Sequence, residues 1–218
     1  LFREFNADKG SEFKINGKLV SGHNYSPFYE KYLSRYKGIK KLNILEIGSL
    51  RGAATASFFY YFTNPQIFCA DINPFQIKVF SKNLRKLFVD TQSEESLLNL
   101  RNYLSQKFDI IIDDGSHNIR DQIITIKILF DSLKNGGLYV IEDISQYLAS
   151  KNLNTDNLDY GAKEILLSIE KKETINCNYI TIDEANNLQK QFKKVHFEKG
   201  NYIENNINIS DIVFIEKN

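Results

Sequence analysis

The stretch Asn43-Ile44-Leu45-Glu46-Ile47-Gly48-Ser49-Leu50-Arg51-Gly52 decides how the rest of the chain reads. A short apolar run leads into a loop bounded by Gly48 and Gly52, and Ala53–Phe62 then reads as a helix. Strand, glycine turn and helix together make half of a βαβ unit. The same order recurs downstream. Gln66–Asp71 reads as a second strand, Phe75–Asn83 as the helix after it, and Lys86–Val89 as a short third strand. Glu94–Leu104 sets Leu97, Leu98, Leu100 and Leu104 on or near one helical face. Phe108–Ile112 is too apolar to alternate, so both its faces are expected to be covered. Ile119–Leu133 reads as a helix stopped at Asn135-Gly136-Gly137, with Leu138–Ile141 as the next strand.

Strand then helix, repeated in this way, predicts a parallel sheet with right-handed crossovers and helices on both sides, a doubly wound α/β layer. The tail departs from that order. Phe192–Phe197 and Asp211–Ile215 are β-like, and a Gly/Asn-rich connection from Gly200 to Asn208 joins them without a helix. They predict an antiparallel C-terminal hairpin at the sheet edge and bring the strands to seven. Residues 1–40 lie outside the alternation. Tyr25–Tyr36 looks helical, with Ser26 as N-cap and Pro27 in the first turn. This N-terminal helical cover is expected either over the pocket mouth or in a homo-oligomer contact. Residues 41–218 form the main domain, in which Ser145–Asp159, polar and without periodicity, reads as a lid.

Length and composition fit one globular domain with a small extension. The chain has 218 residues, 42% hydrophobic and 25% charged. Its 28 basic and 27 acidic residues leave a formal charge of +1, which favours no nucleic-acid partner. No run approaches the ~20 apolar residues of a membrane span, and no signal peptide is visible. Cys69 sits in an apolar run and Cys177 stands alone, so no disulfide framework or zinc spacing is available, and a reducing cytoplasm is the expected compartment. The chain starts at Leu1 and contains no Met, so the true N-terminus is expected to lie outside this sequence.

In an open parallel sheet, ligands bind beyond the carboxyl ends of the strands where the strand order reverses. The Gly48–Gly52 loop stands at such an end. It is not G-x-G-x-x-G, which disfavours a dinucleotide pyrophosphate, but Asp71 ends the next strand as ribose recognition requires, and Asp90 ends the third. A glycine loop alone could be a turn. Acidic groups at successive strand ends point instead to a nucleoside ligand.

Two acidic pairs carry the strongest chemical signal. Asp113-Asp114 closes one strand and Glu142-Asp143 the next. Four like charges at one crevice edge would raise one another's pKa values, and a hard divalent cation with oxygen ligands resolves that conflict. Asp114, Glu142 and Asp143 are assigned as metal ligands, and Asp113 is read as facing the cofactor. Taken singly, each pair could be a solvated strand end, with Ser116 capping the helix that follows. His117 comes directly after, at the rim. An imidazole, with a usual pKa of ~6.5, suits a general base at neutral pH. Asp114 is the alternative base.

These motifs resemble the class I S-adenosylmethionine-dependent methyltransferases. The similarity is greatest to the magnesium-dependent sugar O-methyltransferases of macrolide and aminocoumarin tailoring, the mycinamicin and macrocin type. The resemblance is carried by Asp8-Lys9-Gly10, by His23-Asn24-Tyr25 with Tyr29, by Leu45–Ala54, by Cys69–Pro74, by Phe108–His117 and by Gly136–Ile144. It implies a Rossmann-like methyltransferase fold, S-adenosylmethionine and Mg2+ as cofactors, and methyl transfer to a hydroxyl of a sugar or other vicinal diol. It also implies that Glu46, Gly48 and Ser49 line the methionine end, that Asp71 binds the ribose, and that Asp90, Gln92 and Ser93 lie near adenine. Both its metal ligands and its base fall on the residues already chosen. The expected partner is a small-molecule or glycan substrate with vicinal hydroxyls. Three other readings compete: a catechol-like acceptor, a cofactor-binding module without transferase activity, and an iron hydroxylase. The last needs two histidines and a carboxylate, and His117 has no second histidine in sequence reach.

Overall fold

In the computed structural model, which describes residues 1–173 and 177–218, seven strands form one sheet. A two-stranded hairpin, β1 (Glu12–Ile15) and β2 (Lys18–Ser21), precedes helix α1 (Ser26–Leu33). The βα units follow: β3 (Asn43–Ile47), α2 (Ala53–Tyr61), β4 (Gln66–Asp71), β5 (Leu84–Phe88), α3 (Glu94–Tyr103), β6 (Phe108–Asp113), α4 (Ile119–Leu129) and β7 (Leu133–Ile141). Helices α5 (Ala162–Lys171) and α6 (Ile182–Gln191) lead to β8 (Phe192–Lys199), a small hairpin of β9 (Ile203–Glu204) and β10 (Ile207–Asn208), and β11 (Asp211–Lys217). Sheet order is β5-β4-β3-β6-β7-β11-β8. The first five pair in parallel, and β11 runs antiparallel to both β7 and β8. This is the doubly wound, mostly parallel seven-stranded α/β sheet with an antiparallel C-terminal edge that the sequence predicts.

The period-2 alternation of strand side chains sorts the core into two layers. Ile44, Ile67, Cys69, Ile110, Ile112, Leu138, Val140, Ile212 and Phe214 face α1 and α2 through Tyr29, Leu33, Phe58 and Phe62. Leu45, Ile47, Phe68, Ile111, Tyr139, Ile141 and Val213 face α3 to α6. Chain order reverses at β3, which lies between β4 and β6, so the Gly48–Gly52 loop sits at the switch point.

Several expectations are corrected. Phe75–Asn83 is not a helix: a single 3-10 turn at Pro74–Gln76 is all that forms, because Phe75 and Phe80 are 94% and 82% exposed and only Ile77 finds the core. A segment with no buried stripe gains nothing from helix packing. The helix expected to reach Leu133 stops at Leu129, and β7 begins at Leu133. Asn135-Gly136-Gly137 therefore lies inside the strand, near the register shift between β6 and β7, with Gly136 at φ +74°. The N-terminal cover is not wholly helical. It contains the β1–β2 hairpin, and α1 ends at Leu33 before a 3-10 turn at Ser34–Tyr36. Its N-cap position is Tyr25, without a side-chain cap, rather than Ser26. Residues 146–153 of the expected lid form two short 3-10 turns.

Two positions generate tests. Gly48 has φ +80°, and a Cβ there would collide with the Asp114 carbonyl. Gly48→Ala is expected to cost at least ~2 kcal/mol of unfolding free energy, combining the left-handed conformation with a backbone clash, as read by urea unfolding. Asp113 is buried on the α4 side of the sheet, where, among the described residues, only the Gly115 N–H, at 3.3 Å, reaches its carboxyl and Oδ2 has no partner. Burial pushes its pKa up to about 8. Such a group favours folding while protonated. Its stabilisation is complete below the unfolded value near ~3.9 and is lost as pH rises towards about 8. Asp113→Asn should flatten the fall in stability between these limits, and an unchanged pH profile of unfolding would contradict that assignment.

Candidate active site

Folding places the glycine loop, the two acidic pairs and His117 at one edge of the sheet, because β3, β6 and β7 are neighbours and their carboxyl ends align. The loop is held by its surroundings. Gly48 N donates to Ala70 O at 2.8 Å, and Leu50 N donates to Asp71 Oδ2 at 2.7 Å. Asp71 Oδ1 accepts from Asn73 N at 2.8 Å and Gln76 Nε2 at 3.1 Å. Glu46 is buried beneath the loop and accepts from Ser49 Oγ at 3.0 Å and from the Thr55 hydroxyl. Burial raises its pKa, although these hydroxyls and Lys9 pull it back. Gly48, Ser49, Gly52, Gln76, Lys78 and Asp114 line a cavity of about 740 Å³ whose other wall is the β1–β2 hairpin, through Phe13 to Asn16. Phe5 to Lys9 of the N-terminal segment line the same cavity.

Asp90, Gln92 and Ser93 lie at the start of α3. Asp90 Oδ1 accepts from Gln92 N at 2.9 Å, and Ser93 Oγ caps the helix by accepting from Ser96 N at 3.2 Å. Their hydrogen bonds shape the turn after β5, and Arg120 Nη1 ties it to α4 through Gln92 O at 3.2 Å. Asp113 points away from the cavity, beneath Gly115 and beside Thr91. Ser116 does not cap α4. Asn118 does, while Ser116 Oγ donates to Asp121 Oδ2 at 2.6 Å.

Among the described residues, Asp114, His117 and Asp143 bring a ligand atom each within 4.8 Å of one another. The carboxylate oxygens of that set suit a hard divalent ion, and the imidazole stands beside them. His117 Nε2 is 3.8 Å from Asp114 Oδ1, and its Nδ1 is buried without a hydrogen-bond partner among the described residues. His117 and Asp143 hold left-handed backbones, φ 58° and 54°, as does Leu50 in the glycine loop at 47°. Three non-glycine residues at strand ends carry that conformation, which the surrounding fold must enforce.

Glu142 differs from the other predicted ligands. It is 1% exposed; Tyr29 donates to its Oε1, and Lys9 Nζ stands 2.8 Å from its Oε2. The same ammonium stands 2.6 Å from Asp114 Oδ2. Burial would lower the Lys9 pKa, but Asp114 and Glu142 more than offset that and hold it well above its usual value. Asp143 Oδ1 accepts from Tyr25 and lies 3.0 Å from His23 Nδ1. Although burial pushes Asp143 upward, those contacts bring its pKa below the usual range. Burial and the neighbouring Asp114 raise Glu142. His23, Tyr25 and Tyr29, which are among the carriers of the resemblance, therefore meet the carboxylates themselves. Lys9 carries almost no mark of this role in the sequence. Its only signal there is Asp8-Lys9-Gly10, 105 residues before Asp114.

Comparison with known proteins gives the family of the chain. A curated relative from Streptomyces olivaceus, 8-demethyl-8-(2-methoxy-alpha-L-rhamnosyl)-tetracenomycin-C 3'-O-methyltransferase, is 29% identical over 131 residues, covering 56% of this chain and 32% of that protein. Mycinamicin VI 2''-O-methyltransferase from Micromonospora griseorubida is 31% identical over 130 residues, with the same coverage of 56% and 32%. The match thus spans about a third of the length of these relatives. Among solved structures, the MycE methyltransferase from the mycinamycin biosynthetic pathway, in complex with Mg and SAH, superposes with a TM-score of 0.68 at 20% identity, covering 98% of this chain and 52% of that one. The family described as "Methyltransferase domain" matches residues 39–174, the glycine loop and both acidic pairs included. The chain belongs to that methyltransferase-domain family.

Proposed function

We propose that this chain transfers a methyl group from S-adenosylmethionine to a hydroxyl of a sugar or other vicinal diol, with a hard divalent cation such as Mg2+. One observation carries the reading: Asp114, His117 and Asp143 converge beside the cavity that Gly48 and Ser49 line. Names of relatives that act on rhamnosyl and macrolide substrates support the sugar acceptor, and the Mg and SAH of MycE support the metal and the donor.

In this reading Gly48 and Ser49, with Glu46 beneath them, hold the methionine end. Asp71 anchors the ribose, and Asp90, Gln92 and Ser93 border the adenine. Asp113 shapes the floor under Gly115. Asp114, Glu142 and Asp143 offer oxygens to the ion, with Lys9 between Asp114 and Glu142. When bound, the ion supplies Lewis-acid polarisation of the acceptor hydroxyl. His117 Nε2, on the Asp114 side of the ring, takes the hydroxyl proton; Asp114 Oδ1 is the other basic atom in reach. As the oxygen attacks, the new O–CH3 bond forms while the S–CH3 bond breaks, and the sulfonium becomes a thioether. Holding oxygen and methyl in line is the larger contribution of the fold. No described helix is long and apolar enough to cross a membrane.

Chelation with EDTA should abolish transfer of radiolabelled methyl to a panel of nucleotide sugars and glycans, and Mg2+ should restore it. Full turnover in metal-free buffer would remove the ion from the mechanism. On the same panel, His117→Ala is expected to lower kcat by about 100-fold or more, as loss of a general base does, while S-adenosylmethionine still binds in calorimetry. Asp114→Ala should lose both turnover and ion binding. Donor binding by the wild type with no transfer to any polyol would favour a module without transferase activity.

A further inference from the structure

Lys9 reaches the centre from far away in sequence, and the backbone around it is built to bring it there. Tyr25 N donates to Lys9 O at 2.8 Å, His23 N to Asp8 O at 2.8 Å and Asn24 N to Gly10 O at 2.9 Å. The two segments run so close that a Cβ on Gly22 would collide with the Asp8 and Gly10 carbonyls. The side chain is 3% exposed, and its ammonium bridges Asp114 on β6's end and Glu142 on β7's end. Lys9 and Tyr29 together engage both Glu142 oxygens, Lys9 also engages Asp114 Oδ2, and Tyr25 and His23 engage Asp143 Oδ1, so every carboxylate of the centre is held from the N-terminal segment.

We infer that Lys9 is a tethered cation of the centre: a positioning residue that holds Asp114 and Glu142 and cancels one of the three carboxylate charges, so that the site prefers a divalent ion to one of higher valence. The inference rests on the metal site proposed above and deepens it. Lys9 needs to touch neither donor nor acceptor. It acts through the orientation of Asp114 and through the field at the ion.

The charge makes a distinctive demand. A unit charge within ~5 Å, at an effective dielectric constant of about 20, changes the binding of each further unit of ion charge by more than tenfold. Removing Lys9 should therefore strengthen a trivalent ion more than a divalent one. A lysine that only competed for oxygen atoms would strengthen both equally.

The test is the ratio of terbium to calcium affinity, read by terbium luminescence and calcium competition on the whole chain without donor or acceptor. Lys9→Met should raise that ratio at least ~10-fold, and Lys9→Arg should keep the wild-type ratio. Lys9→Met/Glu142→Gln removes one charge of each sign and should return the ratio to within about threefold of wild type. An unchanged ratio in folded Lys9→Met, or an equal rise for both ions, overturns the inference. If Lys9→Met alone does not fold, Glu142→Gln and Lys9→Met/Glu142→Gln differ by the same side chain and must differ by the same factor; equal ratios then overturn it. A wild type that binds neither ion overturns the metal reading and this inference with it. Binding by the wild type that ignores Lys9 overturns this inference alone.

Discussion

Parallel pairing of β6 with β7 brings Asp113 level with Ile141, so the residues that follow, Asp114, Glu142 and Asp143, emerge together at one edge. Three carboxylates in a poorly hydrated edge repel one another and cost free energy unless something compensates. Much of the N-terminal region is arranged around that constraint. Lys9 bridges two of the groups, Tyr29 caps Glu142, and Tyr25 and His23 hold Asp143. The elements outside the βα alternation are thereby tied to the site, and α1, whose tyrosines fill one core layer, also points two of its hydroxyls or those beside it at the acids. Breaking one partner of such a buried network leaves the others uncompensated.

How much of this was legible depended on whether the signal was local. The β3 and β6 runs could be read because buried parallel strands are continuous in Ile, Leu and Phe, and the antiparallel tail because no helix separates its strands. Asp114, Asp143 and His117 were legible because each follows a strand end directly, so adjacency of strands is enough to bring them together. Phe75–Asn83 misled because its apolar residues occur at helical spacing yet Phe75 and Phe80 find no core. Asn135-Gly136-Gly137 misled because a left-handed glycine serves a bulge as well as a helix stop. Helices α5 and α6 also carry local signals: Ala162, Ile165, Leu166 and Ile169 have amphipathic spacing, and Thr181 with Glu184 forms a capping box.

Lys9 belongs to a different class of omission. Its contact with Asp114 spans 105 residues, and nothing in composition or periodicity marks a lysine as buried. Only its place between Asp8 and Gly10 hinted at a role. The engagement of Glu142 by Lys9 and Tyr29 could not be foreseen from the strand-end argument either, because that argument treats the acids of a pair as equivalent. Alternation across the sheet makes them unequal: within Asp113-Asp114 one side chain enters the core layer and its neighbour faces the crevice.

The position of β11 has a consequence for how the chain is assembled. It is the last strand in sequence of the large sheet, yet it lies between β7 and β8. A nascent chain carrying β3 to β7 presents an unpaired β7 margin, backbone groups of Tyr139 to Ile141 included, until β11 has been synthesised. Strand β8, made earlier, has no place to join until that insertion takes place. The sheet thus closes from its interior last, through a pairing of distant segments that is slow to form. For that interval the growing chain carries an open hydrogen-bonding margin flanked by apolar side chains, the surface on which mispairing between chains begins.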